Sequence, residues 1–270
     1  MAGGFLQGRP SYDEAVQAFE SVSTWRQPVP PAASAARTAL IGDVAARVAG
    51  LAPGRLRVAV DGLTCAGKTS FGHELAAALR GLGRPTMRAS LDDFKNPWRE
   101  ARELGYDRLT GEGYYRNAYD FRSARDLLLA PAAPGGSGHL VLCAHDPLTG
   151  EDHRDTTITA PADGVLIVDS VFAFRPEYNS FWDYRIWLEV DAGLALRRGV
   201  ARDAAMEGAA EAEQVHRDRY HAAAMIYMAE VGPKLLADLI IDNSDFARPV
   251  ILGGPRSGAG TRAGRQEERR

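Results

Sequence analysis

Leu56-Arg57-Val58-Ala59-Val60-Asp61-Gly62-Leu63-Thr64-Cys65-Ala66-Gly67-Lys68-Thr69-Ser70 is the stretch whose reading decides the fold. Residues 56–60 read as a short core strand. Residues 62–69 then match G-x4-G-K-[ST], the turn whose backbone N–H groups wrap an anion. Glycine allows that wrapping because it brings no Cβ into the turn. An Ala/Leu-rich helix follows from Lys68 to about residue 80, stopped by Gly81 and Gly83, and its start adds a positive dipole end. In this pattern the Lys68 ammonium reaches the β- and γ-phosphates of a nucleotide and the Thr69 hydroxyl ligates Mg²⁺. ATP and Mg²⁺ are therefore the implied ligands, with Gly62, Thr64, Cys65, Ala66, Gly67, Lys68, Thr69 and Ser70 as candidate contacts. The competing reading is a chance Gly-rich turn before a helix. Lys68 is one of only three lysines among 32 basic residues, which makes that coincidence rare.

Working outward, apolar strands alternate with helical segments. Ser34 is a candidate cap for a helix to about residue 48, with Leu40, Ile41, Val44 and Val48 on one face. Residues 86–89 read as a second strand, and 165–168 as a buried strand without polar alternation. Further strands are expected at 140–144, 156–160, 184–190 and 239–241, and helices at 120–129, 192–205 and 211–230. Residues 95–119 look irregular. The fold class is α/β, a mainly parallel sheet flanked by helices, on one domain at 34–252. Residues 1–33 carry Gly, Pro and Ser and read as a flexible arm with a short helix at 12–22. Residues 253–270 are Gly, Arg and Glu and read as a disordered tail.

Bulk composition narrows the function classes. A net charge of −3 supplies no basic field for nucleic acid or an anionic membrane surface. No run of 18 apolar residues marks a membrane span, and the first ten residues lack a signal-peptide pattern. Two cysteines do not make a disulfide framework. A cytoplasmic protein is expected; nothing fixes its oligomeric state, and a homo-oligomer stays open.

Three further groups carry candidate chemistry. Asp169 ends the buried strand, where a carboxylate can hold Mg²⁺ or its waters; the alternative is a cap on the next turn. Asp92 stands just past the second strand, at the carboxyl edge where open α/β sheets bind ligands. It can accept a proton from an attacking hydroxyl, or Asp92 and Asp93 can simply cap a turn. Arg198 and Arg202, with Arg197 nearby, share a helix face and can close over a transferring phosphoryl group, or form a solvated, salt-bridged face.

With these residues in view, the chain resembles the uridine kinase and phosphoribulokinase group of P-loop kinases, and within it the bacterial uridine kinase-like proteins. Val60-Asp61-Gly62 to Thr69, Ser90-Leu91-Asp92-Asp93-Phe94, Val168-Asp169-Ser170-Val171-Phe172, Arg198 to Asp203 and a series from Tyr220 to Asn243 carry the likeness. The resemblance implies a P-loop kinase fold, Asp92 as catalytic base, Asp169 as the acid after the Walker B strand, a mobile lid at 198–202, and Asp242 and Asn243 beside the adenine. It implies the 5′-hydroxyl of uridine or cytidine as acceptor. The acceptor pocket departs from the family pattern. Tyr114 stands where an acid holds ribose, before Asn117-Ala118-Tyr119-Asp120, and His145-Asp146 and His153-Arg154 stand in for a Tyr-Asp and a His. Tyr114, Tyr115, His153 and Arg154 are thus candidate substrate contacts, or a local aromatic core. Pantothenate, a sugar phosphate or a specialised metabolite remain alternative acceptors, and a nucleotide-binding regulator or ATPase is the alternative class.

Overall fold

The computed structural model describes Phe19 and residues 21–254. The helix expected at 12–22 falls almost entirely outside the described residues, as does the tail beyond 254. Helix α1 (Ala35–Ala49) starts where Ser34 accepts a hydrogen bond from the Arg37 amide. It lays Leu40, Ile41, Val44, Ala45 and Val48 against α2 (Lys68–Gly81), which follows β1 (Leu56–Gly62) directly. The three-to-four spacing of those side chains is what makes one stripe of α1 apolar.

Strand β2 (Thr86–Ser90) leads into a 3-10 turn, Leu91–Phe94. The segment expected to be irregular contains two short helices, α3 (Trp98–Glu103) and α4 (Gly111–Asn117). Thr110 caps α4 through its hydroxyl, a local signal that the aromatic and glycine content of the segment masks. After α5 (Phe121–Ser123) the chain winds as a π-helix over Ala124–Leu129. A small antiparallel pair, β3 (His139–Val141) and β4 (Thr157–Thr159), precedes β5 (Val165–Asp169).

The second half adds α6 (Pro176–Asn179), β6 (Tyr184–Glu189), α7 (Ala192–Glu207) and α8 (Ala209–Val215). A π turn at His216–His221 joins α8 to α9 (Ala222–Val231), and α10 (Pro233–Leu236) leads to β7 (Leu239–Asp242) and β8 (Val250–Gly253). The main sheet has the order β2-β5-β1-β6-β7-β8. All pairs are parallel except β7 with β8. Sequence reading missed β8, whose burial alternates between exposed and intermediate as an edge strand's does. Valines, leucines and isoleucines of β1 and β5 are buried on both faces, because helices cover the sheet on both sides.

This topology decides where chemistry can occur. β1 and β2 are not neighbours; β5 lies between them. The turn after β1, the end of β5 at Asp169 and the turn after β2 at Asp92 therefore meet at one carboxyl edge of the sheet. No helix of the described residues is long and apolar enough to cross a membrane.

Candidate active site

The anion-binding turn is held from behind. Gly67 has φ 90°, and a Cβ there would stand 2.7 Å from Asn243 Nδ2. A Cβ on Gly62 would stand 2.6 Å from the Leu188 carbonyl oxygen. Both positions demand glycine because another chain segment occupies the space. Asn243 donates from Nδ2 to the Ala66 carbonyl at 2.7 Å and accepts at Oδ1 from Arg37 at 2.9 Å. Arg37 is fully buried, forks onto Glu74 of α2 at 2.6–2.9 Å and lies 4.0 Å over the Phe246 ring. Asn243 thus braces the loop, its side-chain atoms already engaged. The neighbouring Asp242 accepts from the Ser244 amide at 2.9 Å. Arg37 escaped sequence reading because its partners lie 37 and 206 residues away.

Inside the loop, Lys68 Nζ donates to the Leu63 carbonyl at 2.8 Å, and burial lowers the pKa of its ammonium. Asp61, the last residue before Gly62, is fully buried and accepts from the Gly62 amide at 2.7 Å and the Tyr227 hydroxyl at 2.6 Å. Burial pushes its carboxyl up to about 6. Gln27 reaches Ser70 Oγ at 3.1 Å.

Thr69 donates its hydroxyl to Asp169 Oδ2 at 2.7 Å. The other oxygen of Asp169 accepts from Arg88 at 2.5 Å. A hydroxyl and a carboxylate oxygen in contact are hard oxygen donors of the kind Mg²⁺ takes alongside phosphate oxygens and waters, so these two residues fit that ion. Among the described residues no cluster of three or more His, Cys, Asp or Glu side chains forms a protein-only metal cage, and Mg²⁺ held together with phosphates needs none.

Asp92 accepts at Oδ1 from the Tyr119 hydroxyl at 2.9 Å and forms an ion pair with Lys95 at 2.9 Å. Burial pushes its carboxyl up, but the charge and hydrogen bond of Lys95 and the Tyr119 hydroxyl more than offset this, leaving it below the usual carboxylate range. Asp93 lines the same cavity but has other partners. It is buried beside Ser21, whose hydroxyl donates to it at 3.1 Å, and burial pushes its carboxyl up to about 7. Two adjacent aspartates are thus held on opposite sides of their ordinary value. The second half of the motif is structural: the Asp93 carbonyl accepts the amides of Ala144 and His145 at 2.9 and 3.0 Å.

That contrast yields a pH-dependent prediction. Because the folded state binds the Asp93 proton more tightly than the unfolded chain does, stability falls as pH rises from about 4 to about 7 and is level above. Asp93→Asn removes the penalty. Its stability gain over the wild type should be about 2 kcal/mol larger at pH 8 than at pH 5. Urea unfolding at the two pH values measures this, and an equal gain at both would show that the carboxyl is not displaced.

Thr69, Asp92 and Asp169 all line one cavity of about 910 Å³. Tyr114 also lines it, stacked edge-on against Tyr119, Phe172 and Tyr220. Three expected substrate contacts do not. Tyr115 is buried against Phe172 and Tyr227, with Arg116 and Arg175 over its ring. His153 and Arg154 lie outside the lining, and Arg154 is spent on an exposed ion pair with Asp152. His145 and Asp146 form that wall instead. The correction has a local cause. Asp146 collects the amides of Leu148 and Thr149 and turns the chain sharply, so the second His-Arg pair swings past the cavity.

Another wall was not foreseen. Residues 21–33, read as part of an arm, have no regular structure, and Ser21, Ser23, Trp25, Arg26 and Gln27 among them line the cavity. Ser21 bonds Asp93, the Thr24 amide bonds Asp146, and Gln27 bonds Ser70, while Trp25 and Arg26 face the cavity. Lys95 and Tyr119 were also missed. Lys95 offered a signal, being one of three lysines and three residues beyond Asp92.

The lid arginines approach the loop from the opposite side. Arg198 donates to the Ser244 carbonyl at 2.6 Å, and Arg202 forks onto Asp203 at 2.6 and 2.8 Å. Both lie near enough to Cys65 to act on its thiol, whose pKa burial raises and these guanidiniums oppose. Asp203 also receives buried His216 at 2.7 Å, tying α7 to the π turn. Cys65 and Cys143 are both free.

No family model matches the chain, and no curated protein matches it in sequence. Solved structures do match it in shape. A possible uridine kinase from Bacillus stearothermophilus superposes with a TM-score of 0.58 at 22% identity, over 74% of this chain and 96% of that one. A candidate fructose transport system kinase from Silicibacter sp. TM1040 gives 0.55 at 24% identity, over 71% and 93%. The protein YGR205w gives 0.52 at 13% identity, over 78% and 92%. A mostly parallel sheet between helices, an anion-binding turn after its central strand and this likeness together make the fold that of the P-loop kinases.

Proposed function

We propose that this protein transfers the γ-phosphoryl group of ATP to a hydroxyl of a small molecule. The observation that carries the reading is that Thr69 and Asp169, bonded at 2.7 Å, open onto the same cavity as Asp92. A phosphate-gripping turn and a candidate base that faced different sides could not share a reaction; here they face one volume. The matched folds support the chemistry, since two of the structures described above are of kinases by their names.

In this reading the backbone of residues 62–67 and Lys68 hold the β- and γ-phosphates. Thr69 and Asp169 hold Mg²⁺, which when bound neutralises charge on the phosphate oxygens. Asp92, kept ionised by Lys95, orients the acceptor hydroxyl and takes its proton as the new P–O bond forms. Arg198, now on the Ser244 carbonyl, and Arg202, now on Asp203, swing onto the transferring group in this reading.

The acceptor implied by the sequence likeness is uridine or cytidine at the 5′-hydroxyl. The test is ADP release by purified protein with ATP and Mg²⁺ against a panel of uridine, cytidine, pantothenate, D-glycerate and ribulose 5-phosphate. At least one acceptor should raise ADP release tenfold or more over the blank. Brisk ADP formation that no acceptor changes would instead make the protein an ATPase and remove this reading.

A further inference from the structure

Four arginines of the described residues are buried, and three have a carboxylate partner. Arg37 meets Glu74 at 2.6 Å, Arg57 meets Asp183 at 3.0 Å, and Arg88 meets Asp169 at 2.5 Å. Arg108 is the fourth. It is 4% exposed and makes no ion pair among the described residues. Its Nη1 donates to the Asn96 carbonyl, its guanidinium lies 4.1 Å over the Trp98 ring, and its Nε has no partner at all. A buried cation is ordinarily matched by a buried anion, because a guanidinium stripped of water and left against neutral groups is strongly disfavoured. The same chain obeys that rule three times.

Arg108 lines the cavity that Asp92 opens onto, and so does Arg219. Arg219 also lacks a carboxylate, donating to the Leu109 carbonyl at 3.0 Å. Most of the acids on the cavity wall are engaged elsewhere. Asp92 is held by Lys95 and Tyr119, Asp93 by Ser21, Asp146 by backbone amides, Asp152 by Arg154, and Asp169 by Arg88 and Thr69. Glu100 sits on the same wall, but it stands at an exposed position and forms no ion pair with Arg108. Asp107 lends Arg219 some electrostatic support from a distance, but neither Arg108 nor Arg219 has a carboxylate in ion-pair contact. Burial acts against the charge of Arg108, Tyr114 and Tyr119 partly offset it, and the neighbouring Arg219 opposes it again.

We propose that Arg108 and Arg219 form an anion subsite within the acceptor cavity, so that the acceptor carries a carboxylate or phosphate group as well as the hydroxyl that Asp92 receives. This rests on the kinase reading above and narrows it: hydroxy acids and sugar phosphates fit the corner, and a neutral nucleoside leaves it empty. Arg108 binds the planar carboxylate or the phosphate through guanidinium N–H groups that the Asn96 carbonyl does not take. The Trp98 ring holds the guanidinium plane in place from the other side. Tyr114 and Tyr220 line the same cavity as Arg108, Arg219 and Asp92, so one small molecule can present its anion to the arginines and its hydroxyl to Asp92.

The experiment separates this idea from the kinase reading by measuring binding without turnover. The phosphate-gripping turn is first filled with a non-hydrolysable ATP analogue and Mg²⁺. Inorganic phosphate and, separately, acetate are then titrated while tryptophan fluorescence is read, Trp98 serving as the reporter beside Arg108. Saturable binding of at least one of the two, weakened tenfold or more in Arg108→Gln and largely kept in Arg108→Lys, is the expected result. The better-bound anion distinguishes a phosphorylated acceptor from a hydroxy acid. No saturable signal with either anion, or equal binding by wild type and Arg108→Gln, overturns the subsite. Should Arg108→Gln not fold, Arg219→Gln carries the same comparison. In the acceptor panel, phosphorylation of uridine at a KM that Arg108→Gln leaves unchanged would also overturn it, while the kinase reading would stand. ADP release that no acceptor changes would remove the kinase reading and leave the binding result to be judged by itself.

Discussion

Asp92→Asn lowers kcat by about two to four orders of magnitude, the range a positioned general base contributes, while ATP still binds within a few-fold of the wild type. The expectation follows from two separations in the structure. Asp92 stands after β2 and touches Tyr119 and Lys95, whereas the groups that grip phosphate come from β1, α2 and β5. Asparagine keeps the size and the Tyr119 hydrogen bond but loses the charge that receives a proton. Lys95 then faces a neutral amide, which removes the reason for its pKa being raised. A carboxylate held below its ordinary range is a weak base, and this suits phosphoryl transfer, where the transition state is loose and the proton leaves late. Its ionisation accordingly puts no limb in the rate profile above about pH 5. Steady-state kinetics on the acceptor found in the panel, with calorimetry for ATP, measure both halves. Near-normal turnover in the variant would dismiss Asp92 as the base, and lost ATP binding would show that it supports the loop instead. Lys68→Ala provides the contrast, since it should impair nucleotide binding and turnover together.

The second large effect is on stability. Arg37→Met should destabilise the fold by about 3–5 kcal/mol, the usual result of removing one partner of a buried ion pair. Three groups lose their donor at once: the Glu74 carboxylate, Asn243 Oδ1 and the Phe246 carbonyl. Methionine fills much of the space and still packs on Phe246, so most of the loss comes from stranded acceptors rather than from a cavity. For a domain of this size the melting temperature should fall on the order of 10 °C. Nucleotide affinity should fall as well, because Asn243 loses the contact that orients it onto the Ala66 carbonyl. The double variant Arg37→Met with Glu74→Leu provides the check. If the ion pair is the cause, the double variant recovers much of the loss, since no buried charge is then left alone. A single variant that melts with the wild type would mean that water reaches Glu74 and the pair is dispensable.

The residues from 56 to 70 were sufficient, read alone, to place a strand, an anion-gripping turn and a helix, because each depends on chemistry confined to a few consecutive residues. Glycine spacing, the lysine and the helix start act within one turn of chain. The same holds for Ser34 as a cap and for the apolar run ending at Asp169. Asp92 as a candidate was also legible, since its position just past a strand fixes its edge of the sheet. Other features come from contacts across the chain. Arg37 with Asn243, Arg88 with Asp169, and Tyr227 with Asp61 join residues 81 to 206 apart. The acceptor pocket belongs to this second kind. Its walls come from residues 21–27, 92–108, 145–152 and 219–220, none of which signals the others in sequence. Adjacent residues there take opposite fates: Tyr114 lines the cavity and Tyr115 is core, Asp92 stays ionised and Asp93 is pushed towards neutrality. Local sequence thus determined the glycine-rich turn and the helix behind it, while the lining of the cavity was left to the tertiary structure, because burial and partnership of a side chain exist only once distant segments meet.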